Sequence, residues 1–266
     1  MASPTSDDDS LWLRRFHPQP EATVRLICFP HAGGSASFFF PMSEEMSSGI
    51  EVMAVQYPGR QDRRTEPAVE SVQELAREIH TVLTRWTDLP VALFGHSMGA
   101  SVAFEVARLL EQESGIVPAA LFASGRNAPS QHRSNQIHLL DDNGIVAELQ
   151  RLSGTDSRVL GDLELLRFAL PAIRSDYKAA ETYRYVPGPP LRCPVVGLGG
   201  DSDIRVDVEE VAAWGDHTSG TFDLQVFPGG HFYLSDQKAA VVNTVSDFLI
   251  ARNPITLLPS PGTAAG

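Results

Sequence analysis

Short apolar runs alternate with amphipathic stretches along most of the chain. VRLICF (24–29), VMAVQY (52–57), VALFG (91–95), ALFASG (120–125), PVVGLGG (194–200) and FDLQVF (222–227) are the apolar runs, and most of them lack a strict in–out alternation. Continuous apolar strands are what a parallel sheet covered on both faces requires. Helical periodicity separates them. SVQELAREIHTVLTRW opens on Ser71 with Glu74 three residues on, the pattern of a capping box. SMGASVAFEVARLLEQ follows the third run, DVEEVAAW the fifth and SDQKAAVVNTVSDFL the sixth. Strand then helix, repeated, predicts an α/β fold with a mostly parallel sheet flanked by helices.

One connection is far longer than a crossover needs. Between the fourth and fifth runs lie residues 126–192, where about 10–12 residues suffice to return a parallel strand. The excess holds two helical patterns, NGIVAELQRL and DLELLRFALPAIRSDYKAAETY. Ligands of open α/β sheets bind at the carboxyl ends of the strands. The insertion is therefore expected to form a helical lid over that edge. The expected organisation is one domain over 11–252, the lid over 126–192 within it, and flexible tails at 1–10 and 254–266, which mix polar, Pro and Gly residues without period.

Charge and cysteine usage narrow the class. The formal net charge of −12 argues against nucleic acid as a partner, since phosphate neutralisation needs clustered Lys and Arg. The first residues, MASPTSDDDS, have neither the basic nor the apolar region of a secretion signal. The longest apolar stretch, Pro90 to Leu110, is interrupted by His96, Glu105 and Arg108 and does not read as a membrane span. Cys28 and Cys193 both sit in apolar runs, as expected of buried thiols in a reducing cytoplasm.

The chemistry enters with Gly95-His96-Ser97-Met98-Gly99, a G-x-S-x-G string placed after an apolar run and before a helical pattern. That strand–turn–helix context is a nucleophile elbow. A hydroxyl needs an adjacent base. His231, in PGGHF after the last apolar run, stands where the chain order Ser…Asp/Glu…His puts it. His17, His80, His132, His138 and His217 read as solvated loop or helix residues, and His96 as a local packing group. GGDSD offers two carboxylates to orient the base. Asp203 is preferred, with Asp201 serving the turn nearer the strand. Two backbone donors must meet the developing oxyanion. Met98, after the nucleophile, and Ala32, in the loop Pro30-His31-Ala32-Gly33-Gly34, are the expected pair, with Gly33 the fallback. No phosphate-loop, dinucleotide or metal-ligand motif accompanies them, so neither cofactor nor metal is expected.

FPHAGG, VQYPGRQDRR, LFGHSMGA, GGDSD and FPGGHFYL together resemble the type II, or external, thioesterases of polyketide synthase and nonribosomal peptide synthetase systems, over roughly residues 11–250. The resemblance implies an α/β-hydrolase fold with a helical lid. It implies hydrolysis of stalled or misprimed acyl groups from the phosphopantetheine arm of acyl or peptidyl carrier proteins. It also implies Ser97, Asp203 and His231 as triad, and Ala32 and Met98 as oxyanion hole. Medium-chain fatty acyl thioesterases share most of these motifs. A chain-terminating cyclase or acyltransferase is a further alternative, against which the free-standing length argues, and a non-catalytic carrier-protein binder is another, disfavoured by the intact triad. Leu165, Phe168, Tyr177 and Phe232 are candidates to line an acyl channel, with core packing the competing role for each, and Phe232 beside the base is the expected substrate contact. Arg60, Arg63 and Arg64 form a basic cluster, with Arg126 and Arg133 nearer the lid. They are open to two readings: docking an acidic carrier protein, or pairing internally with Asp62 and Glu66.

Overall fold

The structure is a computed structural model and describes residues 7–133, 135–153 and 163–252. Among these, seven strands form one sheet in the order β1-β3-β2-β4-β5-β6-β7. They are β1 (Leu13–Arg14), β2 (Val24–Phe29), β3 (Ile50–Val55), β4 (Val91–His96), β5 (Leu121–Ser124), β6 (Val195–Gly200) and β7 (Phe222–Phe227). All neighbours pair in parallel except β1, which runs antiparallel to β3 at one edge. Every residue of β2 to β6 is buried, so the apolar runs are continuous because helices cover both faces.

Alternate residues of each strand feed opposite cores. Ile27, Phe29, Met53, Val55 and Leu93 face one core, with helices α3 (Val72–Leu83) and α4 (Met98–Glu113). Leu26, Cys28, Val52, Ala54 and Phe94 face the other, with α2 (Phe40–Glu45) and the last long helix (Lys238–Arg252). Each fully buried large apolar side chain contributes roughly 1.5–3 kcal/mol of transfer free energy. Ser71 caps α3 by accepting the Glu74 N–H at 3.3 Å. Both cysteines are buried and unbridged. No helix among the described residues is long and apolar enough to cross a membrane.

The structure differs from the sequence expectations at the margins. Strand β3 lies two residues before the predicted 52–57. Its run ends where the buried Gln56 amide accepts the Ala36 N–H at 2.9 Å and the Tyr57 hydroxyl donates to the Pro30 carbonyl at 3.2 Å. Strand β1 is not foreseen, since two residues carry no readable period. The leader expected to fray is helical from Asp7 (α1, Asp7–Trp12), while the tail at 254–266 lies outside the described residues.

Between β5 and β6 the structure holds α5 (Asp142–Ser153) and α6 (Leu163–Thr182), which match the two helical patterns of 126–192. Ile137, Ile145, Leu170, Ile173 and Tyr177 pack there into a small core of their own. Short helices α7 (Val208–Ala212) and α8 (Tyr233–Asp236) follow β6 and β7, and α9 (Lys238–Arg252) closes the domain.

The basic cluster is largely internal. Arg60 and Arg63 are buried, Arg60 in a bidentate pair with Asp176 and Arg63 in one with Glu66. Asp62 pairs instead with Arg14. Two buried guanidiniums each committed to a carboxylate are not available to dock a partner, which corrects the docking reading for both. Arg64 remains exposed.

Candidate active site

The site is built at the carboxyl edge of β4, β6 and β7. Strand β4 ends in a turn that places Ser97 at φ 55°, ψ −121°, a left-handed backbone that costs a non-glycine residue about 1–3 kcal/mol. The surrounding fold holds it there: the Ser97 N–H donates to the Ser124 carbonyl at 2.8 Å. Small neighbours are obligatory. A Cβ on Gly95 would lie 2.3 Å from the Gly99 carbonyl oxygen, and one on Gly99 would lie 2.0 Å from that of Phe29. Ser97 is also the N-cap of α4, so its hydroxyl stands at the positive end of a sixteen-residue helix.

The loop after β6 carries both aspartates, and the structure separates them. The Asp203 Oδ2 accepts from His231 Nδ1 at 2.8 Å, and its Oδ1 accepts the Arg205 N–H at 2.8 Å. Asp201 holds the turn instead, taking the Ser202 hydroxyl at 2.8 Å and the Gly229 N–H at 3.0 Å. His231 Nε2 stands 3.1 Å from Ser97 Oγ. With Nδ1 donating to a carboxylate, Nε2 carries the lone pair and faces the serine O–H, an assignment that follows from the partners. The imidazole and the carboxylate are buried, whereas Ser97 is half-exposed.

Two further histidines flank the base, and both are held neutral. Burial, and then the nearby His231, keep His96 well below the usual histidine range. Its Nδ1 lies 2.9 Å from Ser124 Oγ, which lies 2.6 Å from the Tyr233 hydroxyl. Burial pushes His31 down to about 4 against its Ala32 hydrogen bond. Elsewhere His217, expected in solvent, is buried beside Phe104, Trp214 and Tyr185 and sits 2.9 Å from Ser130 Oγ.

In the loop after β2, the Gly33 N–H donates to Asp176 Oδ2 at 2.7 Å, so that donor is engaged. The N–H groups of Ala32 and Met98 have no hydrogen-bond partner among the described residues. Ala32, Met98 and Phe232 all border the same cavity as Ser97 and His231.

That cavity has a volume of about 680 Å³, in the range of small-molecule sites. Leu149 and Leu152 of α5, with Ala169, Ile173 and Tyr177 of α6, form an apolar wall over the serine. Phe168 points away and is 86% exposed, and the Leu165 side chain lies outside the described residues. Charged groups also stand in the wall, Arg126 and Arg133 of the sequence reading among them, whereas Arg205 is not foreseen. Arg126, which burial lowers to about 10, remains a cation there and donates to Ser101 Oγ and the Ala180 carbonyl. Arg205 stacks over Tyr177 and pairs with Glu148.

A buried carboxylate–imidazole–hydroxyl run, opening on an apolar cavity with two unengaged N–H groups at its floor, is equipped for acyl transfer through a serine ester. No group of acidic, His or Cys side chains among the described residues is arranged to hold a metal ion.

Comparison with known proteins agrees with this chemistry. The family described as "Thioesterase domain" matches residues 24–249. Thioesterase PikA5 of Streptomyces venezuelae is 55% identical over 248 residues, covering 93% of this chain and 88% of that protein. The gramicidin S biosynthesis protein GrsT of Aneurinibacillus migulanus is 34% identical over 249 residues, covering 93% of this chain and 96% of its own. Among solved structures, the type II thioesterase BorB from the borrelidin biosynthetic cluster superposes with a TM-score of 0.86 at 50% identity, covering 92% of this chain and 99% of that one.

Proposed function

The chain belongs to the thioesterase family and is a serine hydrolase of thioesters, and from that premise we propose that it removes acyl groups from the phosphopantetheine arm of carrier proteins by way of an ester on Ser97. The observation that carries the reading is the run Asp203–His231–Ser97, with 2.8 Å and 3.1 Å links, opening into an apolar cavity. The names of relatives support the pathway class: a thioesterase of one Streptomyces, a gramicidin S biosynthesis protein, and a type II thioesterase of a borrelidin cluster.

The steps follow from the geometry. His231 Nε2 takes the Ser97 proton as Oγ attacks the thioester carbonyl. The carbonyl oxygen becomes an oxyanion and receives the N–H groups of Ala32 and Met98. The C–S bond breaks, the imidazolium returns its proton to the departing thiolate, and the acyl group remains on Ser97. Asp203 keeps the imidazole in the productive tautomer and stabilises its cation. Water, deprotonated by His231, then attacks the ester; the bond from the acyl carbon to Ser97 Oγ breaks, the imidazolium returns its proton to Oγ, and the free acid leaves. A thiolate leaves readily, so the acid step demands less than in amide cleavage. The lid role belongs to α5 and α6, which cover the cavity. Phe232 contacts the acyl group beside the base. Two buried reduced thiols suit work in the cytoplasm.

The test offers acetyl-, propionyl- and long-chain acyl-carrier proteins, with free long-chain acyl-coenzyme A as the competing substrate, and identifies the products. Free acid from carrier-bound substrates, abolished by Ser97→Ala, supports the reading. Preference for the coenzyme A thioester supports a fatty acyl thioesterase instead, and a macrocycle or transferred ester supports a cyclase or acyltransferase. Binding without turnover leaves only a carrier-protein binder.

A further inference from the structure

Helix α6 does more than roof the cavity, because one of its side chains is bound into the loop that carries Ala32. Asp176 is 1% exposed and makes three strong contacts. Its Oδ2 accepts the Gly33 N–H at 2.7 Å and Arg60 Nη1 at 2.7 Å, and its Oδ1 accepts Arg60 Nη2 at 2.7 Å. Arg60 Nη1 also donates to the Gly34 carbonyl at 2.8 Å. One carboxylate and one guanidinium thus grip the loop at two successive residues. Packing repeats the contact, since a Cβ built on Gly33, at φ +78°, would lie 2.8 Å from Ile173 Cγ1 of the same helix. From below, the Tyr57 hydroxyl holds the Pro30 carbonyl.

We infer that Asp176, set by Arg60, is a positioning residue for the oxyanion site: by tying off the Gly33 N–H it fixes the preceding peptide so that the Ala32 N–H faces the oxyanion, and it thereby makes the reactivity of Ser97 depend on α6 being seated. The inference rests on the donor role proposed for Ala32. Asp176 touches neither substrate nor reacting atoms. An amide at 176 has one oxygen for three donors and sets its NH2 against Arg60 or against the Gly33 N–H, and an absent side chain leaves that N–H without its acceptor. Reorientation of the Ala32–Gly33 peptide is then passed through the Ala32 backbone angles to the His31–Ala32 peptide, which bears the Ala32 donor. Oxyanion donors act only when preorganised. The effect therefore falls on the transition state, and ground-state binding in the cavity changes little.

The experiment compares wild type with Asp176→Asn, with the apolar double variant Arg60→Met/Asp176→Leu, and with Glu70→Gln. Glu70 pairs with Lys178 on the outer side of the same helix, so its loss removes an exposed tether while leaving the loop grip intact. The apolar pair removes the buried charges together, so no unpaired charge is left to unfold the chain. Readouts are thermal melting, kcat and KM on an acyl-pantetheine thioester, and the affinities of two inhibitors: an acyl trifluoromethyl ketone, whose adduct with Ser97 is an oxyanion, and a non-hydrolysable thioether.

The inference expects Asp176→Asn to lower kcat about 10–100-fold with KM within about threefold, and to weaken the ketone in parallel but not the thioether. It expects the double variant to melt like wild type and still be slow, and Glu70→Gln to be unaffected. A folded Asp176→Asn with wild-type kcat overturns it. So does recovery of kcat in the double variant, equal weakening of both inhibitors, or a matching loss in Glu70→Gln. If wild type hydrolyses no thioester, the functional reading fails separately. The rate of fluorophosphonate capture at Ser97 then reads the loop alone, and an unchanged rate in Asp176→Asn overturns the inference.

Discussion

Asp203 and His231 meet at 2.8 Å, while Asp201, two residues earlier and also a carboxylate, is bonded to Ser202 and Gly229 instead. The two carboxylates should separate cleanly under substitution. Asp203→Asn presents an amide to Nδ1 and favours the tautomer with its proton on Nε2, which turns the base away from the serine. A fall in kcat on the order of 10³–10⁴ is expected, as when the triad aspartate of serine proteases is replaced. Asp201→Asn retains a side-chain oxygen for the Gly229 N–H and should stay within about threefold of wild type. Steady-state kinetics on one thioester substrate decide it, and comparable losses in both variants would contradict the assignment.

Gly99 packs against the end of β2, with no room for a methyl group: the added Cβ would lie 2.0 Å from the Phe29 carbonyl oxygen. Backbone must move to admit it, so Gly99→Ala should destabilise the fold by about 3 kcal/mol or more and slow fluorophosphonate labelling of Ser97. Gly115 provides the contrast. It is exposed with φ +69° and nothing within 4 Å of an added Cβ, so Gly115→Ala meets only the backbone cost of about 1–2 kcal/mol. Urea midpoints measured side by side give both numbers.

What was legible in the sequence was local. The elbow is a contiguous turn, and its glycines follow from the approach of β4, α4 and β2. The choice between Asp201 and Asp203 rested on distance from a glycine turn, which the fold preserves. The pairing of Arg63 with Glu66 is also local, three residues apart. Arg60 is the opposite case. GRQDRR looks like a solvated basic cluster, because the carboxylate that buries Arg60 lies 116 positions away on α6. A signal existed on the other partner: Asp176 shares a helical face with the buried Ile173, Tyr177 and Ala180, and a carboxylate on an apolar stripe needs a partner. Strand β1 had no such signal, since it exists only by pairing with β3.

Acid should destabilise the protein before its carboxylates titrate. Burial lowers His31 from 6.5 to about 4 and His96 well below 6.5. In the unfolded chain both take up protons near pH 6.5, and in the folded chain both stay neutral. The unfolded state therefore binds more protons below that pH, and stability falls as pH drops from 6.5 toward 4. Each proton so bound gives a slope of about 1.4 kcal/mol per pH unit. Unfolding free energies at pH 7.5, 6.0 and 5.0 should show the decline. The His31→Gln/His96→Gln variant should flatten it, and an unchanged slope would remove these two residues as its cause.

The apolar wall sets which acyl groups fit. Ala169 of α6 lines the cavity of about 680 Å³ at a distance along the helix from Asp176, so a larger side chain there intrudes on the chain-binding space without touching the loop grip. Ala169→Phe should displace the far end of a long acyl chain. Loss of burial for two methylenes is about 1.6 kcal/mol, or roughly tenfold in kcat/KM. Octanoyl and longer thioesters should therefore lose at least that much, while acetyl and propionyl thioesters, which end before the obstruction, keep wild-type rates within about threefold. The kcat/KM series against chain length is the measurement. A uniform drop at every length would place the acyl group elsewhere, and unchanged rates throughout would mean the chain does not pass between α5 and α6.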